Sequence, residues 1–383
     1  MLRRQFLSLA PQAAVLASTP AFISSAWAQE GVNAKAITIG CSGALTGPLG
    51  GYGINLKVGI EAAMAQINAR GGVHGRAMQF QMVDDAYNPA RTVENVKKMV
   101  GDGSVFALMS CIGTPNNTAL LPLIEENNLP YVAPLTGASS LRKPGARNVF
   151  HVRASYTDET QRLMAKVVGM GIKDIAIVYL DNGYGKEVLG DAQRALAAAG
   201  VKPVAEVALA TDGKNIDDVV ARTMASKPAA VFLGTAGAAS AGVVMALKKA
   251  FPLLPIAGLS ATFTSEGIAQ LGKLASGIAV GMVIPDATRG RLQVVRDYQA
   301  AMQAMGKNDF GSGSLEGYIN TRVLAEGLQR AGRDVSRVKL RSALTELRNL
   351  DLGGFSVNYA AAPFVGSKFV EMGVLNETGR FNG

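Results

Sequence analysis

The sequence predicts an α/β protein of two lobes, each built on a parallel central sheet. Three observations carry this. Apolar strand-like runs alternate with stretches of helical periodicity along nearly the whole chain, which favours parallel sheets covered on both faces. The alternation falls into two series that meet near residue 154. A length of 383 residues, with 48% hydrophobic and 17% charged residues and 44 glycines, suits two compact, glycine-punctuated cores rather than a disordered chain.

The first series opens with AITIGCS (36–42), a glycine-rich loop, and a helix NLKVGIEAAMAQINARGG that a Gly-Gly pair stops. AMQFQMVDD (77–85), a helix over 89–100, the run VFALMS (105–110) and PYVAP (130–134) follow. Between the last two, Thr114 stands directly before Pro115, which reads as a helix N-cap hydroxyl followed by a proline at the first helical position. The second series comprises a helix over 158–170, DIAIVYL (174–180), a helix over 185–199, VAEVAL (204–209), a helix over 215–226, AAVFLG (229–234), another helix, PIAGL (255–259) and GIAVGMVIP (277–285). Helices over 291–306, 314–331 and 336–347 come next, then the apolar segments FSVNY and KFVEMGVL. Open α/β sheets bind ligands beyond the carboxyl ends of their strands. The βα loops at 42–53, 110–115, 134–140, 181–185, 234–238 and 259–264 are therefore the places to look for a site.

The first 28 residues read as an export leader, with Arg3 and Arg4 ahead of an apolar stretch that ends in Ala26-Trp27-Ala28. RRQFL is similar to the twin-arginine motif, with Ser8 where a lysine often follows. A periplasmic mature chain is expected, and loss of the leader's two arginines takes the net charge from +9 to +7. No block of five like charges occurs, and aromatic residues are sparse, so nucleic-acid binding is a poor reading. The uncharged span 228–247 contains two glycines with Thr235 and Ser240, and reads as a short strand, a loop and a buried helix rather than a membrane span. Cys41 and Cys111 are the only cysteines and are expected as two buried thiols.

Signals for catalysis are missing. Two histidines, His74 and His151, lie far apart in sequence, and no HExxH, GxSxG or GxxxxGK[ST] motif occurs. GPLGGYG (47–53) fails the GxGxxG order. Asp84 and Asp85 point to opposite faces of a strand and cannot converge on one atom, so one is expected to cap a turn and the other to be solvated. No enzyme, metal or cofactor is expected.

SGALTGPLGGYGINLKVGIEAAMAQINARGGVHGR (42–76) resembles the N-terminal signature of the leucine/isoleucine/valine-binding proteins, the type I solute-binding components of ABC importers. DIAIVYLDNGYGKEV (174–188) is similar to the matching segment of the second lobe, and SLEGYINTRVLAEGLQRAG with DLGGFSV to the C-terminal part. The resemblance implies a type I periplasmic binding protein fold: two Rossmann-like lobes with parallel central sheets joined by three crossovers, here near 153, 284 and 366. Lobe I would then be 29–153 plus 284–366, and lobe II 154–283 plus 367–383. It also implies a solute held between lobes that close by hinge rotation, delivery to a membrane permease, and a monomer.

For the ligand, the resemblance points to Gly113 and Thr114, which would offer amides and a hydroxyl to a carboxylate, and to Thr136, Gly137 and Ala138 from the next strand. Helix N-termini support that role physically, because their free amides attract anions. Thr114 serving only as a cap remains the alternative. Tyr52 and Tyr184, each before a glycine, would line the cleft from opposite lobes as stacking residues with a hydroxyl, or else serve packing. Amino-acid binders hold the ammonium group with an acidic residue and a tyrosine, positions that fall here on Ser260 and Ala236. Glu266 would substitute only if its loop folds inward. A buried ammonium without a carboxylate is costly, so a small organic acid, an aromatic one included, is favoured. The alternatives are a branched-chain or other amino-acid binder of the same importer class and a non-catalytic amide or metabolite sensor.

Overall fold

The computed structural model describes residues 30–382; the export leader and its Arg3-Arg4 pair lie outside them. Strands β1 (Ala36–Gly43), β2 (Ala77–Asp84), β3 (Ala107–Met109), β4 (Tyr131–Val132) and β5 (Val149–His151) form one sheet, separated by helices α1 (Gly50–Ala69), α2 (Pro89–Gly101) and α3 (Thr114–Glu126). The chain then enters a second sheet through α4 (Tyr156–Gly169). That sheet holds β6 (Ile175–Leu180), β7 (Ala205–Leu209), β8 (Ala230–Gly234), β9 (Ile256–Gly258) and β10 (Ala279–Met282). Its connecting helices are α5 (Gly183–Ala198), α6 (Ile216–Ala225), α7 (Ala238–Ala250) and α8 (Ser265–Leu271).

After β10 come α9 (Gln293–Ala304), α10 (Ser312–Ala331) and α11 (Arg337–Thr345), a short hairpin of β11 (Leu350–Asp351) and β12 (Ser356–Val357), β13 (Phe364–Val365) and β14 (Glu371–Val374). β13 adds in parallel beside β5 in the first sheet, while β14 pairs antiparallel with β10 in the second. The strand orders are β13-β5-β4-β3-β1-β2 and β14-β10-β9-β8-β6-β7. Two α/β lobes result, each with its own core. Leu56, Ile60, Phe150, Tyr318 and Ile319 belong to one, and Val178, Leu180, Phe232 and Val244 to the other.

Helix α1 crosses α10 at close range. A Cβ added to Gly59 would sit 1.8 Å from the Ser314 carbonyl oxygen, so only glycine lets the two backbones approach this far. A similar constraint moves an expected boundary. The segment read as a glycine-rich loop folds as a 3-10 turn (Gly47–Leu49) running straight into α1, which starts at Gly50. Gly53 passes against the Ala44 carbonyl, where a Cβ would lie 1.8 Å away, and this packing keeps the segment helical. Helix α5 likewise starts at Gly183, capped by the Asn182 side chain.

The acidic pair departs from expectation. Asp84 secures the β1–α1 connection, accepting from the amides of Leu45 (2.8 Å) and Thr46 (3.1 Å) and from the Thr46 hydroxyl (2.6 Å). Partial burial works to raise its carboxyl, but these donors outweigh it and hold it at about 2. Asp85 is not solvated at all. It is fully buried and accepts from the hydroxyls of Ser42 (3.0 Å) and Thr92 (2.8 Å), because α2 folds back over the end of β2. Cys41 and Cys111 are buried free thiols. The span 228–247 divides between β8 and α7, and among the described residues no helix is long and apolar enough to cross a membrane.

Candidate functional site

The lobes face one another across the carboxyl ends of both sheets and touch there. Asn55 of α1 donates to Glu266 of α8, and the Ser312 amide donates to the Ser265 hydroxyl at 2.9 Å. Between them lies a cavity of about 30 Å³ whose walls include Tyr52, Gly113 and Thr114 from one lobe and Tyr156, Tyr184 and Ala236 from the other.

The floor is the start of α3. Gly113 has φ +98° and is the N-cap; a Cβ there would lie 2.3 Å from the Tyr87 ring. Thr114 is thus the first helical residue and not the cap anticipated from its place before Pro115. With a helical backbone its side chain cannot reach back to the first-turn amides, and no side chain caps this helix. Its hydroxyl instead meets that of Thr136 at 2.7 Å. Two hydroxyls and the positive end of α3 therefore converge on one buried spot, an arrangement suited to oxygen ligands.

The other expected residues divide. Tyr52, in the first turn of α1, donates its hydroxyl to Glu316 at 3.0 Å. Tyr184, in the first turn of α5, donates to the Thr235 carbonyl at 3.2 Å and packs edge-on against Tyr156 with centroids 5.2 Å apart. Thr136, Gly137 and Ala138 sit behind the cavity wall rather than in it. Gly137 does permit a close backbone approach, but to Tyr156: a Cβ would lie 2.7 Å from its amide, which donates to the Gly137 carbonyl at 2.8 Å. Ala138 is fully buried in the second core. Ser260 lies one side chain away from the cavity, where it accepts from Arg153 at 2.6 Å.

Arg153, Tyr87 and Tyr156 also line the cavity, and the sequence did not single them out. The only local signal was an arginine two residues beyond the apolar run of β5, where the chain leaves the first sheet. In the fold, Arg153 stands between the lobes with just 4% of its side chain exposed. Its Nε is 3.4 Å from Glu316 of α10, its Nη2 donates to Ser260, and its guanidinium carbon lies 5.8 Å from the Tyr156 ring centroid. Burial opposes the arginine charge, yet Glu316, with Tyr156 and Tyr52, outweighs it and raises its pKa above the ordinary value. Beyond Ser260, the buried Glu159 accepts from that serine's amide and hydroxyl. Burial pushes the Glu159 carboxyl up to about 7 despite Arg153 and the serine donors.

No group of three or more potential metal-ligating side chains occurs among the described residues. The site offers shape, hydroxyls, a helix tip and one cation.

Residues 36–363 match the family model described as "Periplasmic binding protein". The chain belongs to the periplasmic binding protein family. Within it, the chain is 27% identical over 335 residues to the Leu/Ile/Val-binding protein BraC3 of Rhizobium johnstonii, covering 84% of this chain and 87% of that protein. A solved substrate-binding periplasmic protein from Ralstonia solanacearum superposes with TM-score 0.84 at 29% identity, over 90% of this chain and 99% of that one. An extracellular ligand-binding receptor from Verminephrobacter eiseniae gives 0.83 at 26%, over 91% and 99%. The two solved structures share its two-lobed α/β fold.

Proposed function

We propose that this chain is an exported, monomeric, non-catalytic receptor that captures a small organic acid between its lobes and hands it to the permease of an ABC importer. The observation that carries the ligand class is the convergence of Thr114, the α3 N-terminus and Arg153 on a cavity walled by tyrosines. A carboxylate placed there meets the Thr114 hydroxyl, the positive end of α3 and the Arg153 charge, between the rings of Tyr52, Tyr87, Tyr156 and Tyr184. Thr136 supports the reading by orienting Thr114, and Ser260 by holding Arg153. The leader with Arg3 and Arg4 supports export, and the ABC partner follows from the family resemblance.

Kinship with Leu/Ile/Val-binding proteins favours an α-amino acid as the second reading, and the structure adds acidic groups near the cleft that bear on it. Those groups are engaged. Glu316 is paired with Arg153 and Tyr52, Glu159 takes both donors of Ser260, and Glu266 takes Asn55. An ammonium group would have to share a carboxylate that already has a donor, Glu266 alone among them keeping a buried oxygen without one. A thermal-shift screen of aliphatic acids, aromatic acids, amides and amino acids separates the two, because a solute that binds only the folded chain raises its melting temperature. Carboxylic acids without an amino group are expected to give the largest shifts. Leucine or valine ahead of every simple acid would defeat the proposal.

A further inference from the structure

The cavity at Thr114 is about 30 Å³, room for roughly one water molecule. A second cavity of about 310 Å³ is lined by Val283, Ile284 and Pro285, where the crossover near 284 is expected, and is termed the hinge-side cavity; it reaches the lower end of the usual range for small-molecule sites. Its walls come from both lobes and from the segment that leaves β10: Phe263, Ile268, Val280, Ile284, Phe310 and Phe381 supply apolar surface. Acidic groups dominate its rim, with Asp286, Asp309 and Glu377 against Arg380. Asp286 is also partnered by Arg289, at 3.4 Å.

The two cavities share no lining residue; the loop 260–265 runs between them, with Ser260, Phe263 and Ser265 on one and Ala261 and Thr264 on the other. Arg153 lines the first and Ser260 lines the second, and the hydrogen bond between them, with Glu159 accepting from the same serine, crosses from one cavity to the other. Glu159 in turn fits only because Gly281 lacks a side chain: a Cβ there would lie 2.6 Å from its Oε1. Arg153 keeps its pairing with Glu316 if it lets go of Ser260, so breaking this contact does not leave the arginine charge alone.

We propose that Arg153 and Ser260 form a movable partition, and that the solute's carboxylate sits at Thr114 while its apolar body passes into the hinge-side cavity. The inference rests on the carboxylate reading above and sharpens it. The solute is a monocarboxylate with an extended apolar chain or ring, because the acidic rim opposes a second negative charge at the far end.

Titration calorimetry on the full mature chain with butanoate, hexanoate, octanoate and octanedioate tests this. Affinity is expected to rise about fourfold per added methylene. Octanedioate should bind more weakly than octanoate. Ala269→Trp, an exposed α8 position that lines only the hinge-side cavity, should weaken octanoate binding at least about tenfold and leave butanoate unchanged. If butanoate and octanoate bind alike and the tryptophan alters neither, the second cavity takes no part and the inference fails while the carboxylate reading stands. If none of these acids binds, the carboxylate reading itself falls and takes the inference with it.

Discussion

Replacing Arg153 with methionine should destabilise the chain far more than its few hydrogen bonds suggest. At 3.4 Å, and with an effective dielectric of about 20, the attraction between Arg153 and Glu316 is about 5 kcal/mol. Both side chains are only 4% exposed, so the carboxylate left behind has no water to replace its partner. It keeps the Tyr52 hydroxyl at 3.0 Å, and it can take up a proton, which caps the penalty. A loss of about 3 to 4 kcal/mol is expected for Arg153→Met, in line with broken buried pairs elsewhere. The double variant Arg153→Met/Glu316→Gln should regain at least half of it, since no charge is then stranded. Urea unfolding followed by far-ultraviolet circular dichroism at pH 7 measures both. A single variant within about 1 kcal/mol of the parent, or a double variant as unstable as the single, would refute the claim that this pair is buried and mutually dependent.

Glu159 gives a pH signature. Its folded carboxyl titrates at about 7 against a reference of 4.5, so between those values the folded chain holds a proton that the unfolded chain has released. Stability should therefore fall by about 3 kcal/mol as pH rises from 4.5 to 7, and Glu159→Gln should flatten that slope, as unfolding curves across the range would reveal. Gly59→Ala should cost at least about 1 to 3 kcal/mol by forcing α1 off α10. Gly190→Ala in α5, where a Cβ meets only the Arg194 side chain at 3.4 Å, should instead stabilise by about 0.5 to 1 kcal/mol, and equal effects at the two sites would contradict the packing argument. Thr114→Ala should weaken binding of the best acid by about 0.5 to 1.5 kcal/mol. Unchanged calorimetric affinity would assign the Thr114 hydroxyl to Thr136 alone.

The two-lobed α/β fold was legible because strand and helix alternation is a local property of the chain, repeated often enough to survive errors at element ends. Tyr52, Tyr184 and the CIGTP turn were legible for a related reason: each sits at a strand-to-helix junction, and such junctions gather at one edge of a parallel sheet. The details there were less secure. Thr114 looked like a cap because threonine before proline usually is one, but Gly113 alone tolerates φ +98°, and that moved the helix start by one residue.

Sequence by itself therefore determined the class of fold and the sheet edge at which the strand-to-helix turns gather, since these depend on residue type and short-range periodicity. Only tertiary structure decided which charges share the cleft. Arg153, Glu159, Ser260 and Glu316 are spread over more than 160 positions and belong to a crossover, a helix, a loop and another helix. Nothing in their local sequence encodes their meeting, because Coulomb energy and desolvation depend on distance and burial in space. The same holds for Gly59 and Ser314, whose close approach exists only where two helices, far apart along the chain, cross.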